Sequence, residues 1–189
     1  SGTTYRLLYP MAPIIAEQAE FSLAPSLERR PMEPLISLLQ SKGVKADKYS
    51  VSGKFSHGDF HIAGDVSSQF ISGLIFALSM LDGQSRIIPT TPIQSAGYIQ
   101  MTRSCLHAFG GSTAWEDDAL IVRPAEFRST EFIIPGDYSH AAMLLAAGAV
   151  YGQVTVTGLA PDPLQKDSEI LGILSPRGAR VKIGSHSVT

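Results

Sequence analysis

Two hydroxyls and a carboxamide, Ser67, Ser68 and Gln69, stand where a very apolar segment begins, Phe70-Ile71-Ser72-Gly73-Leu74-Ile75-Phe76-Ala77-Leu78. The apolar run predicts a helix over 67–81. The first turn of a helix leaves backbone N–H groups unpaired, and the macrodipole makes that end favourable to negative charge. Ser, Ser and Gln add neutral donors, so this start can hold a phosphate or a carboxylate. The same residues serve as an ordinary N-cap, a position that Ser favours in any protein. The other chemistry-bearing residues form no such group. Cys105 lies inside the helical apolar pattern Met101–Leu106 and reads as a small buried hydrophobe rather than a nucleophile. The five histidines, His61 and His140 among them, have no partner pattern and read as structural or solvated. No His/Cys/Asp cluster has metal-ligand spacing.

The elements that must position this start recur along the chain. Leu-x-x-x-Gly, a helix ending in a left-handed glycine cap, occurs at Leu39–Gly43, Leu106–Gly110 and Leu174–Gly178, with glycines 67 and 68 residues apart. Phe60-His61-Ile62-Ala63-Gly64-Asp65 precedes one apolar helix, and Phe132-Ile133-Ile134-Pro135-Gly136-Asp137 precedes another. The expected first unit has helix 3–16, strand 19–24, helix 32–41 and strands at 44–49, 54–55 and 59–62. The second has helix 67–81, strand 85–89, helix 98–109 and strands at 112–116, 119–122 and 131–134. The third has helix 138–151, strand 153–157, helix 168–174 and strand 180–183. Pro176 should bend or shorten its last helix. Loops are expected at 126–130 and 158–166. The helices 70–81 and 139–150 are apolar on nearly every face, the pattern of buried helices. The expected fold is α/β of the α+β kind, a single domain over 1–189. It holds three pseudo-repeats, 1–63, 64–135 and an incomplete 136–189, with helices inside and sheets outside.

Bulk properties narrow the function classes. The chain has 189 residues, 44% hydrophobic and 17% charged, enough apolar matter for a sizeable core. A formal net charge of −2 gives no general attraction to nucleic acid or membranes. The run 70–81 is too short to span a bilayer, which takes about 20 residues. One cysteine allows no internal disulfide, and a reducing cytoplasm is the natural compartment. The N-terminus carries no signal-peptide pattern, and Ser1-Gly2-Thr3-Thr4 reads as the middle of a longer sequence.

Four segments together resemble one family: Ser1-Gly2-Thr3-Thr4-Tyr5-Arg6, Glu28-Arg29-Arg30-Pro31-Met32-Glu33-Pro34-Leu35, Gly64-Asp65-Val66-Ser67-Ser68-Gln69-Phe70 and Pro135-Gly136-Asp137-Tyr138-Ser139. In this collinear order they resemble 5-enolpyruvylshikimate-3-phosphate (EPSP) synthase. The resemblance implies a two-domain enzyme, each domain built of three βαβαββ units, of which this chain matches most of one domain. It implies transfer of the enolpyruvyl group of phosphoenolpyruvate to the 5-hydroxyl of shikimate 3-phosphate, with no metal or organic cofactor. It implies that Ser67 and Ser68 bind the phosphate of shikimate 3-phosphate, that Gln69 lies against both substrates, and that Ser95 and Tyr98 contact shikimate 3-phosphate. Arg30, immediately before a proline, is placed on phosphoenolpyruvate with Gly2, whose backbone approaches that ligand. Arg29 is the neighbour with which Arg30 can exchange roles. Arg6 is either a ligand contact or an internal partner. Ala96 departs from the basic residue that many family members carry after the serine. Asp137 reads as a helix-start residue. The acid/base residues, and most of the other cations for phosphoenolpyruvate, are implied to lie in the second domain, so this chain supplies no catalytic residue of its own.

Two other classes stay open on the sequence. One is the related enolpyruvyl transferase that acts on UDP-N-acetylglucosamine. The other is a non-enzymatic binding or assembly module of the same fold. Nucleic-acid binding is disfavoured by charge and by the lack of a basic stripe interleaved with aromatics.

Overall fold

Proline spacing decides how the chain begins. A computed structural model of the protein describes residues 1–160 and 164–189. The single helix expected over 3–16 is two, α1 (Gly2–Leu8) and α2 (Ala12–Ile15). Pro10 and Pro13 lack the N–H that a continuous helix needs, and Pro13 instead sits in the first turn of α2, where no donor is missed. Glu17, in the left-handed region at φ 58°, turns the chain into β1 (Gln18–Glu20). Next come α3 (Pro25–Glu28), α4 (Glu33–Ser41), β2 (Lys45–Ala46) and β3 (Ser50–Ser52). The expected strand at 54–55 is absent.

β4 (Asp59–Ile62), α5 (Ser68–Ser79), β5 (Ser85–Pro89), α6 (Ala96–Ala108), β6 (Ser112–Glu116) and β7 (Ala119–Arg123) follow. They close a sheet of order β4-β5-β7-β6, in which only the β4–β5 pair is parallel. This is one complete βαβαββ unit. β4 therefore opens the second repeat and does not close the first, which moves the expected boundary at 63/64 to before residue 59. The sheet β1-β3-β2 repeats the order and antiparallel sense of β5-β7-β6.

The chain separates into two compact units, Ser1–Thr130 and Glu131–Thr189. The break falls five residues before the expected start of the third repeat. In the first unit α5 is the buried centre: Phe70, Ile71, Leu74, Ile75, Ala77 and Leu78 are fully enclosed. It packs against α1 on one side and α6 on the other. Gly73 makes the α1 contact possible, because a Cβ there would lie 2.6 Å from the Arg6 carbonyl oxygen and 3.0 Å from Pro10. α6 buries only Ile99 and Leu106, so Cys105 beside them is half-buried rather than buried.

The second unit holds α7 (Tyr138–Tyr151), β8 (Val156–Thr157), α8 (Ile170–Leu174) and β9 (Ser187–Val188). Tight 3-10 turns flank α8, and the one at Ser175–Arg177 carries the helix-shortening Pro176. β8 pairs antiparallel with β9, and Ile183 bridges Val188, so the strand expected over 180–183 survives as a single bridge. The strand expected at 131–134 does not form, since β8 is two residues long and offers no edge of β5's length. The loop at 126–130 is as expected; that at 158–166 includes 161–163, outside the described residues. α7 buries only the stripe Tyr138, Ala141, Leu145 and Gly148. The short elements of this unit cover one side of it, leaving Met143, Leu144, Val150 and Tyr151 exposed, against the expectation of burial all round.

α1 is tied to the β2–β3 turn by two buried tyrosines. Tyr5 donates to the Lys48 carbonyl at 2.5 Å, Tyr9 donates to the Asp47 carbonyl, and both rings pack on Phe21. Burial, with the Asp47 charge second, pushes the Tyr5 pKa up to about 12, and burial raises Tyr9 as well. Because these folded-state values are raised, their stabilisation is whole below about pH 10, the free tyrosine value, and is lost as pH climbs through them. Burial raises Tyr138 in the second unit too, so tyrosinate absorbance should lag for three of the six tyrosines, for Tyr5 and Tyr9 until the first unit unfolds. All six ionising near pH 10 with the fold intact would contradict this. Gly73→Ala should destabilise the first unit by about 1–3 kcal/mol through overpacking, read as a lowered denaturation midpoint.

Candidate anion-binding site

Ser67 does cap α5. Its backbone is extended (φ −166°, ψ 121°) and its Oγ accepts the Gln69 N–H at 3.3 Å. The same oxygen accepts from Arg6 Nη1 at 3.2 Å. With both lone pairs engaged, the Ser67 hydroxyl proton is left to donate outward. Ser68, next in line, is buried. Gln69 is held at both ends of its carboxamide: Oε1 accepts from Arg6 Nη1 at 3.2 Å, and Nε2 donates to Thr3 Oγ1 at 2.9 Å. Arg6 therefore acts as an internal partner of the helix start. Its guanidinium is buried, donates to the Pro31 carbonyl at 3.1 Å and lies over the Phe70 ring at 5.1 Å. Burial, then the positive charge of Arg30, lowers the Arg6 pKa from its ordinary value, and a guanidinium stays protonated regardless.

Arg30 meets α1 at Gly2. A Cβ on Gly2 would lie 2.7 Å from Arg30 Nη1, so a residue without a side chain is required for this guanidinium to sit where it does. Of the pair Arg29-Arg30, it is Arg30 that reaches Gly2.

A second helix start completes the site. Thr91 Oγ1 accepts the Gly64 and Asp65 N–H groups at 2.9 and 3.2 Å and donates to Asp65 Oδ1 at 2.7 Å. The Gln94 N–H donates to the Gly64 carbonyl at 3.0 Å. Gly64 must be glycine for this approach, since a Cβ would lie 2.6 Å from the Thr91 carbonyl oxygen. Ser95 then takes the left-handed conformation, φ 57° and ψ 44°, and starts α6. That conformation costs a residue with a side chain roughly 1–2 kcal/mol. Both helix starts open onto one recess of about 310 Å³, lined by Arg6, Asp65, Val66, Ser67, Ser68, Gln69, Gln94, Ser95 and Tyr98.

Five residues singled out in the sequence, Ser67, Ser68, Gln69, Ser95 and Tyr98, thus share the recess. Gly2 and Arg30 do not line it; they adjoin it through Arg6. Asp65, Val66 and Gln94 were missed. The Gly64–Thr91 lock that brings Gln94 in joins residues 27 apart and leaves no local pattern. Asp137 caps α7 as expected, its Oδ1 accepting the Ser139 N–H at 2.8 Å, and that bond with the His140 ring holds its carboxyl below the usual range. Three of the histidines read as structural or solvated make side-chain contacts that no sequence pattern announces: His140 with Asp137, His57 with Asp82, and His107 with Thr113. Among the described residues no group of three or more His, Cys, Asp or Glu could hold a metal ion. Among the described residues no helix is long and apolar enough to cross a membrane.

The fold has solved counterparts. EPSP synthase from Acinetobacter baumannii superposes with a TM-score of 0.73 at 21% identity, over all of this chain and 45% of that one. The enolpyruvyl transferase NikO from Streptomyces tendae does so with a TM-score of 0.68 at 15% identity, over 96% of this chain and 45% of that one. The architecture is that of an enolpyruvyl-transferase domain. Sequence carries the assignment further. The family described as EPSP synthase (3-phosphoshikimate 1-carboxyvinyltransferase) matches residues 1–189, and the chain belongs to that family. A 3-phosphoshikimate 1-carboxyvinyltransferase from Methanocorpusculum labreanum is 39% identical over 196 residues, taking in all of this chain and 46% of that protein. One from Clostridium botulinum is 33% identical over 190 residues, with 96% and 44% covered. The chain spans less than half the length of these relatives.

Replacing Arg6 by Met keeps the apolar stem and removes three hydrogen bonds, leaving the Pro31 carbonyl and Gln69 Oε1 without their donor. A buried acceptor left this way costs about 1–3 kcal/mol. The denaturation midpoint should fall accordingly, and the Gln69 side-chain amide signals in an NMR spectrum should shift. An unchanged midpoint with unchanged Gln69 signals would show that the guanidinium does not organise the helix start.

Proposed function

We propose that this chain supplies the shikimate-3-phosphate half-site of an enzyme that transfers the enolpyruvyl group of phosphoenolpyruvate to the 5-hydroxyl of shikimate 3-phosphate, releasing phosphate. The observation that carries the reading is the single recess shared by Ser67, Ser68, Gln69, Ser95 and Tyr98 at two helix starts. Hydroxyls and backbone N–H groups there suit a phosphate, and the Gln69 carboxamide, oriented by Arg6 and Thr3, suits a ring hydroxyl. Arg30 over Gly2 offers a planar fork to the carboxylate or phosphate of phosphoenolpyruvate.

Two polyanions must lie side by side in this reaction, so positioning and preorganised electrostatics carry most of the rate enhancement. No metal or organic cofactor enters, and the place of action is the cytoplasm. Proton transfer to and from the 5-hydroxyl falls to groups of the second domain, the chain's partner in the complete enzyme. A proton-transfer group typically contributes 10²–10⁴-fold, so the 189-residue chain alone is expected to show no turnover.

Calorimetric titration tests the half-site directly. Shikimate 3-phosphate should bind the isolated chain, and Ser68→Ala should weaken it roughly tenfold, the loss expected for one hydrogen bond to a charged group. Binding of UDP-N-acetylglucosamine in place of shikimate 3-phosphate would assign the recess to the other acceptor class. Steady turnover by the purified chain would overturn the division of labour between the domains.

A further inference from the structure

The recess has an unusual charge balance for an anion site. One cation lines it, Arg6, and one carboxylate, Asp65. The Arg6 guanidinium already donates to Ser67 Oγ, Gln69 Oε1 and the Pro31 carbonyl. Ala96, in the first turn of α6, adds no charge. Neutral donors must therefore do most of the work of holding an anion here, and they can be counted. The Ser67 and Ser68 hydroxyls, Ser95 and Tyr98 are four of them. Gln69 has already committed one N–H to Thr3.

Gln94 is the remaining one. Its backbone is fixed to the start of the α5 segment by the N–H bond to the Gly64 carbonyl at 3.0 Å. Ser95, left-handed at φ 57°, follows it directly, so Gln94 stands at the joint between the two helix starts. Gln94 lines the recess, and among the described residues its carboxamide makes no hydrogen bond. A carboxamide brings two N–H donors without charge.

Resting on the function proposed above, we propose that Gln94 is a further substrate-contacting residue, whose amide donates to the phosphate of the phosphorylated acceptor. It does with a dipole what a lysine would do with a charge. Two consequences follow from that chemistry. Affinity for the phosphorylated acceptor depends less on salt than a cation-based site would, because screening acts on charge–charge attraction. A lysine at this position adds attraction and salt dependence together.

The test is a set of calorimetric titrations on the 189-residue chain with shikimate 3-phosphate and with shikimate, which lacks the phosphate. Gln94 is exposed, so Gln94→Leu leaves the fold intact, checked by an unchanged denaturation midpoint. Gln94→Leu should weaken shikimate 3-phosphate roughly tenfold and leave shikimate unchanged. Gln94→Lys should bind shikimate 3-phosphate at least as tightly as the parent at low salt and lose more of that affinity at high salt. If the parent binds shikimate 3-phosphate and Gln94→Leu binds it equally well, the inference fails while the proposed function stands. An equal loss for both ligands would move Gln94 to the ring and overturn the phosphate assignment. A parent chain that binds neither ligand would overturn the proposed function, and this inference with it.

Discussion

The buried guanidinium of Arg6 is the interaction on which the candidate site depends. It reaches from α1 to the cap residue of α5, to the Gln69 carboxamide and to the Pro31 carbonyl after Arg30. Three separate stretches of sequence thereby share one planar donor group. Burying a charge is expensive unless its donors are used, and here it is met by three hydrogen bonds and the face of Phe70. Among the described residues no carboxylate pairs with it directly. The positive charge is compensated only by dipoles, and Arg30 sits close enough to lower its pKa.

The scaffold around Arg6 follows from close approach. α1 can bring Arg6 to the head of α5 only because Gly73 lets the two helices touch at the Arg6 carbonyl. The second helix start reaches the same recess because Gly64 lets the Thr91 carbonyl approach. Gly2 leaves room for Arg30. At each of these places the absence of a side chain sets the distance, and polar groups then fix the geometry. A strained left-handed Ser95 completes the turn into α6, and such strain persists only where its surroundings over-determine it. The Gln94–Gly64 bond and the Thr91 lock provide that determination.

Much of this was legible in the sequence. The ends of α7, β4, β5 and β6 coincide with expectation because periodicity and turn residues agree there. The cap role of Ser67 is observed and does not exclude an anion role, since the hydroxyl accepts from the helix and still has a proton to donate. What was hidden is non-local. The repeat suggested that 59–62 ends a unit, whereas its parallel pairing with β5 across α5 makes it a beginning. Local propensity cannot distinguish these, because a strand's partner is not written in its own residues. Gln94 was missed for the same reason. The burial of α7 was over-read because apolar composition says what a helix can bury, and not what its own unit supplies to cover it.

The heads of α5 and α7, related by the repeat, differ in charge. At α7, Asp137 brings a carboxylate to the cap and takes the Ser139 N–H. Gln165 then accepts the Tyr138 N–H at 2.8 Å and donates to the Gly136 carbonyl at 2.7 Å. The positive end of that helix is neutralised by the chain's own groups, and a second anion would be repelled. At α5 the cap is an uncharged serine, the nearby charge is a cation, and the glutamine is turned inward to Arg6 and Thr3. In its first turn the Gln69 N–H goes to Ser67 Oγ and the Phe70 N–H to the Ser67 carbonyl, both uncharged acceptors. Both heads solve the same structural problem, giving a first-turn N–H a side-chain acceptor at the cap. Only the α7 cap does so with a carboxylate; the α5 cap, a hydroxyl, adds no negative charge to the helix start.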